Sequence, residues 1–98
     1  VWLNWIVRVA GEPVGYVQAT ADPAAGTAWV AWVIGTPWQG HGYATEAAAA
    51  VVAWLRARGL AATAAIAPGH RASERVAAAA GLTATEELLD GERVWRLA

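Results

Sequence analysis

Two glycines flank a histidine in the segment Trp38-Gln39-Gly40-His41-Gly42-Tyr43-Ala44-Thr45-Glu46, just ahead of an alanine-rich run. Glycines at this spacing before a helix are what a phosphate site requires. The first amides of a helix have no partner inside it, and the positive end of the helix dipole lies at the same place. Glycine also keeps side-chain atoms from standing between those amides and an anion. An ordinary strand-to-helix turn uses glycine too, so the spacing has to be tested against specific phosphate loops. A dinucleotide fingerprint needs a third glycine, where Thr45 stands, and an acid about 20 residues on, yet no acid lies between Glu46 and Glu74. A P-loop needs a lysine after its last glycine, and the chain has no lysine. Neither pattern fits.

A second polar cluster follows in Ala67-Pro68-Gly69-His70-Arg71-Ala72-Ser73-Glu74-Arg75-Val76, closed by Gly81-Leu82. Ser73 offers a hydroxyl that can protonate a leaving group or, near a helix start, bond the local backbone instead. Arg71 and Arg75 stand one turn apart and form either a solvated face or a contact for a phosphate. His41 and His70 do not make a metal site, since there is no cysteine and no third histidine. No metal is expected.

These residues need elements to position them. Trp2 to Val9 and Val14 to Thr20 are rich in aromatic and β-branched residues and are separated by Gly11-Glu12-Pro13, which reads as a hairpin. Thr27 to Ile34 is a near-continuous apolar run, as expected of a strand buried on both faces. From Gly42 to Arg58, Ala44, Ala47, Ala48, Val51, Val52 and Leu55 repeat with helical spacing, Glu46 lies in the first turn and Arg56 and Arg58 in the last. Gly59 ends that helix, and Ala62 to Ala67 reads as a strand. A second helix is expected from His70 to Ala80, with Ala72, Val76 and Ala79 or Ala80 facing inward. Two last strands, Leu82 to Leu89 and Arg93 to Leu97, turn at Asp90-Gly91. The element order is βββαβαββ, one domain over residues 1–98.

Composition narrows the function. The 98 residues are 57% apolar and 15% charged with a net charge of −1, which suits one small core. Seven arginines against eight acidic residues leave little for counterion-release binding, so nucleic acid is not an expected partner. The longest apolar stretch, Ala47 to Leu55, is far below the ~20 residues a membrane span needs. Nothing at the start has the form of a signal peptide, so the default location is cytoplasmic. The chain opens at Val1 directly in strand-like sequence, and loss of a natural N-terminus is expected.

The stretch Gln39-Gly40-His41-Gly42-Tyr43-Ala44 resembles the Gln/Arg-x-x-Gly-x-Gly/Ala acetyl-coenzyme A loop of the GNAT superfamily of N-acetyltransferases. The longer string from Trp38 to Ala47 is similar to the version in the branch that acetylates the N-terminal residue of ribosomal proteins. Ala67 to Val76 with Gly81-Leu82 resembles that branch's second-helix signature, Asn-x-x-Ser followed by Gly-Phe. The resemblance covers nearly the whole chain and implies an α/β fold with a mixed, splayed sheet, the cofactor lying in the wedge between the buried strand and the next. It implies that backbone near Val33 and Ile34 pairs with the pantetheine arm like an added strand, and that an amide near Ile34 faces the thioester oxygen. The pyrophosphate falls to the loop of Gln39, Gly40, His41, Gly42, Tyr43, Ala44 and Thr45. His70, where the signature has asparagine, is expected at the pantetheine amides, and Ser73 at the sulfur as the acid.

The departures are as specific. Trp29 stands where this branch often has a glutamate, and Ala77 where many relatives have an acidic tyrosine. Relatives also carry a strand and two helices ahead of the hairpin, and these form a wall of the acceptor site. The resemblance therefore implies transfer of an acetyl group from acetyl-CoA to a primary amine, either a protein N-terminus or a small molecule, by direct attack. The competing expectation is a noncatalytic acyl-CoA-binding module, or a truncated core that needs a missing segment or partner. Apolar surface left by missing helices makes a homodimer a further expectation.

Overall fold

The computed structural model describes residues 1–97 and has the expected element order. Strands β1 (Trp2–Val9), β2 (Glu12–Asp22) and β3 (Thr27–Ile34) form an antiparallel meander, followed by a 3₁₀ turn at Thr36–Trp38. Helix α1 (Tyr43–Arg56) leads to β4 (Ala61–Ile66), helix α2 (Arg71–Ala79) to the hairpin of β5 (Leu82–Leu89) and β6 (Glu92–Leu97). The single sheet runs β1-β2-β3-β4-β6-β5. The first hairpin turns at Ala10-Gly11 rather than at Gly11-Pro13, with positive φ at both residues, and Asp90-Gly91 repeats that geometry. Positive φ at both central positions matches the twist of a two-residue hairpin, and it frees Pro13 to enter β2 near its start.

Both helices pack on the same face of the sheet. Val51, Val52 and Leu55 of α1 and Ala77 of α2 share one core with Val17, Ala19, Val30, Ala62 and Ala64. Leu55 and Val17 are among the largest fully buried side chains, and each contributes roughly 1.5–3 kcal/mol by leaving water. Alanine across the sheet lets the helices approach closely. Near its C-terminal end α1 is tied to β1, where Trp5 meets Trp54 edge-on at 5.4 Å and the Arg58 guanidinium lies 3.6 Å over the Trp54 ring.

Two expectations about burial are corrected. β3 is not covered on both faces: Ala28, Val30 and Ile34 are buried beneath the helices, while Trp29 and Val33 are 39% and 46% exposed on the other side. A run that is apolar at every position carries no period-two signal, so the sequence could not distinguish one covered face from two. The inward stripe of α2 is only partly as expected: Val76 is buried and Ala80 packs half-buried against the core, but Ala72 and Ala79 are exposed and Ala77 is buried instead. A helix packed against both α1 and β5 presents its neighbouring i and i+1 positions to the core.

The feature that makes a site is the junction of β3 and β4. Their parallel pairing spans only Thr27–Trp29 against Ala61–Thr63. Beyond Trp29 the strands diverge, while on its other edge β4 stays paired with β6 from Thr63 opposite Arg96 to Ile66 opposite Arg93.

Candidate functional site

Helix α1 starts without a side-chain cap. Gly42, its first flanking residue, has φ 78° and Gly40 has φ 82°, conformations that cost other residues roughly 1–3 kcal/mol. A Cβ on either would meet nothing within 4 Å, so the space in front of the loop is open. The first intrahelical bond is from Glu46 N to Gly42 O at 3.0 Å, which leaves the amides of Tyr43, Ala44 and Thr45 as the orphan donors of this helix.

The exit of β3 is held from both sides. Gly15 of β2 lies so close to it that an added Cβ would stand 2.1 Å from Val33 O, so only glycine fits there. Gly35 N donates to Val14 O at 2.8 Å. With Val33 C=O turned toward β2, the planar trans peptide turns Ile34 N–H the other way, toward the wedge. Ile34 C=O shares that side, and Gln39 Nε2 donates to it at 3.0 Å. The Gln39 side chain is thus a tie between strand and loop.

Helix α2 starts differently. His70 is its N-cap, and the ring Nδ1 accepts from Ser73 N at 3.2 Å. That acceptor role assigns the proton of the neutral ring to Nε2. The Ser73 hydroxyl is not used as a cap and makes no hydrogen bond among the described residues.

A cavity of about 490 Å³ joins these parts, a size common for ligand sites. Val33, Ile34, Gln39, Gly40, Gly42, Tyr43, Ala44, Thr45, His70 and Ser73 all line it, together with Trp32, Trp38 and Arg75. His41 does not; it is exposed and stacks on Tyr43 at 5.4 Å. Arg71 is also outside, leaving Arg75 as the arginine of the cavity. Ala77 is fully buried in the core. A second cavity of about 160 Å³ fills the splay itself, between Val30–Trp32 and Ala64–Ala67. It shares Trp32, His70 and Ser73 with the first and is also lined by Glu92.

Glu92 is the residue that the sequence did not offer. It stands at the start of β6 beside the Asp90-Gly91 turn, where an acid is unremarkable. Only the pairing of Ile66 with Arg93 brings it to the wedge. Among the described residues no three His, Cys, Asp or Glu groups lie together as a metal site, and no helix is long and apolar enough to cross a membrane.

The splayed strands, the bare helix start and the loop between them define a class. The family profile described as acetyltransferase (GNAT) domain matches residues 2–83, and the chain belongs to that family. Among solved structures it is similar to RimL, a ribosomal L7/L12 alpha-N-protein acetyltransferase in complex with coenzyme A, with a TM-score of 0.84 and 17% identity over 97% of this chain and 60% of that one. The GNAT domain of S. lividans PAT gives a TM-score of 0.84 and 23% identity over 98% and 60% of the two chains. The microcin C7 self-immunity acetyltransferase MccE, in complex with acetyl-CoA and AMP, gives 0.83 and 20% over 97% and 59%. The chain thus spans about 60% of the length of these structures, and at such identities the likeness is one of fold. No curated protein matches the sequence.

Proposed function

We propose that this chain binds acetyl-CoA and catalyses transfer of the acetyl group to a primary amine by direct attack, without an acyl-enzyme. One observation carries the reading: a single cavity runs from the bare amides of α1 to the open splay between β3 and β4, where the second cavity begins. The residues fit such a ligand. The amides of Tyr43, Ala44 and Thr45 and the open space at Gly40 and Gly42 suit a pyrophosphate. The β4-facing backbone of β3 beyond Trp29, which no strand pairs, suits the amides of a pantetheine arm. When bound, acetyl-CoA supplies an acetyl thioester, whose carbonyl carbon an amine converts to an amide with release of the thiol.

The rest is work for the protein. Ile34 N–H is the fixed donor toward the wedge, and such a donor lowers a barrier by roughly 3 kcal/mol. Glu92 takes up, through water, the proton that an ammonium must lose before it is nucleophilic. Ser73 Oγ–H, free of any local bond, holds the proton that a departing thiolate needs. Absence of cysteine agrees with direct attack. A protein N-terminus or a small amine as acceptor and a cytoplasmic setting belong to the same reading.

The second reading, a noncatalytic acyl-CoA-binding module, is favoured by Ala77, which is buried in the core and brings no tyrosine hydroxyl from α2 to the cavity. Calorimetric titration of acetyl-CoA into the chain and into Gly42→Glu tests the shared part, with binding expected in the first and lost in the second. Mass spectrometry of an amine incubated with the chain and acetyl-CoA then separates the readings. Binding with no acetylated product selects the module.

A further inference from the structure

We infer that Gln39 is a positioning residue for acetyl transfer, whose side-chain amide aims Ile34 N–H by holding Ile34 O; the inference rests on the acetyl-transfer reading above. The end of β3 needs such a tie. Ile34 makes the last pair with β2, opposite Gly15, while the parallel pairing with β4 stops at Trp29, so on the wedge side no strand bonds it. Strand ends with one neighbour open most readily. The Ile34 side chain is anchored in the interior, but that leaves the two peptide units flanking its Cα to be fixed by their own bonds. The first is held by β2, toward which Val33 C=O points. The second is held at both ends, with Gly35 N donating to Val14 O at 2.8 Å and Gln39 Nε2 donating to Ile34 O at 3.0 Å. Without Gln39 only the β2 side remains.

Gln39 reaches Ile34 from a firm base. Pro37 fixes φ near the start of the 3₁₀ turn, and the turn is closed by Trp38 N to Gly35 O at 2.9 Å and Gln39 N to Thr36 O at 3.3 Å. The positive-φ glycines of the loop begin only after it, at Gly40. Since only the nitrogen of the amide can donate to a carbonyl, the partner also fixes which way the Gln39 amide faces. The bond has an electrostatic consequence. In extended backbone the N–H and C=O of one residue leave on the same side, so Ile34 N–H and Ile34 C=O stand together at the wedge. A bare carbonyl there would repel the oxyanion that the neighbouring N–H stabilises, and a donor on its oxygen reduces that repulsion. The side-chain hydrogen bond that Gln39 makes among the described residues goes to the strand. Its effect therefore falls on the reacting carbonyl, through Ile34, rather than on the pyrophosphate.

The test compares the chain with Gln39→Met, which keeps the length and loses the donor, and with Gln39→Arg, which supplies a donor again. In the ligand-free chain the NMR resonance of the Ile34 carbonyl carbon is expected to move in Gln39→Met and to return in Gln39→Arg. Isotope-edited infrared spectroscopy of bound acetyl-CoA then reads the donor, because a weaker bond from Ile34 N–H raises the acetyl carbonyl stretch. That band is expected to rise toward its free value in Gln39→Met and to fall again in Gln39→Arg. Transfer is followed to hydroxylamine, the smallest nucleophile, and to a serine-initiated tetrapeptide. For Gln39→Met kcat is expected to fall at least about tenfold, with the affinity for coenzyme A changed less than about threefold, and Gln39→Arg to recover most of kcat. If Gln39→Met loses the native circular dichroism spectrum, Gln39→Glu, of the same shape and without the donor, carries the same expectations. Loss of affinity for coenzyme A and adenosine bisphosphate with kcat unchanged makes Gln39 a phosphate contact and overturns the inference. An Ile34 resonance that moves while the infrared band and kcat stay put overturns it too, since the tie is then only local structure. Failure of the unaltered chain to bind acetyl-CoA, or to acetylate either acceptor, overturns the acetyl-transfer reading and the inference with it, and needs no Gln39 variant to be seen.

Discussion

The two helices of this protein begin at the same cavity, and they begin in opposite ways. At α2 a side chain caps the helix: His70 Nδ1 accepts from Ser73 N. At α1 nothing closes it, since Gly42 has no side chain to offer. Glycine at this position gives up about a few tenths of a kcal/mol against a capping side chain. On the acetyl-CoA reading proposed above, the bare end is where a ligand supplies the missing acceptor. The capped end marks where the helix only holds residues in place. One helix start receives; the other supports.

That contrast can be broken at its stronger side first. Gly42→Glu puts a carboxylate in front of the α1 amides and is expected to weaken acetyl-CoA binding at least about 100-fold in calorimetry, while circular dichroism stays native. Gly15→Ala comes next, because its Cβ would meet Val33 O at 2.1 Å and push the end of β3 aside. It is expected to cost about 1–3 kcal/mol in urea denaturation and to weaken acetyl-CoA about tenfold. Gly40→Ala, with nothing near its Cβ, should lose only the cost of its positive φ, about 1 kcal/mol.

The supporting end gives smaller effects of a different kind. His70→Ala removes the α2 cap and is expected to cost about 1 kcal/mol, a fall in Tm of about 4–8 °C, with acetyl-CoA affinity changed less than about threefold. His70→Asn restores a capping acceptor and should recover most of that stability. The smallest change is expected for Arg75→Ala, a weakening of acetyl-CoA by about two- to threefold that disappears in high salt, since this side chain lines the cavity from an exposed position. A loss of ligand binding in His70→Ala as large as in Gly42→Glu would collapse the distinction between the two ends.

The order of elements and the position of the glycine loop were legible because their signals are local. Positive-φ glycines, helical spacing from Ala44 to Leu55 and the turn at Asp90-Gly91 each depend on residues within one or two turns of each other. The exposed face of β3 was not legible, since Trp29 and Val33 have the composition of core residues and only the placement of both helices on one side leaves them uncovered. The role of Gln39 was equally hidden. Its side chain reads as a phosphate contact in the motif, yet it is committed to Ile34 O. Glu92 was least legible of all, because its place depends on a pairing between residues far apart in the chain.

The position of β6 between β4 and β5 bears on how the protein comes into being. β3, the glycine loop and the start of α1 are joined by contacts close in sequence. The other half must wait, because β4 stays without its second neighbour until a strand about 30 residues further along the chain has threaded in beside it. The two walls of the wedge thus differ in the length of chain that must close to build them.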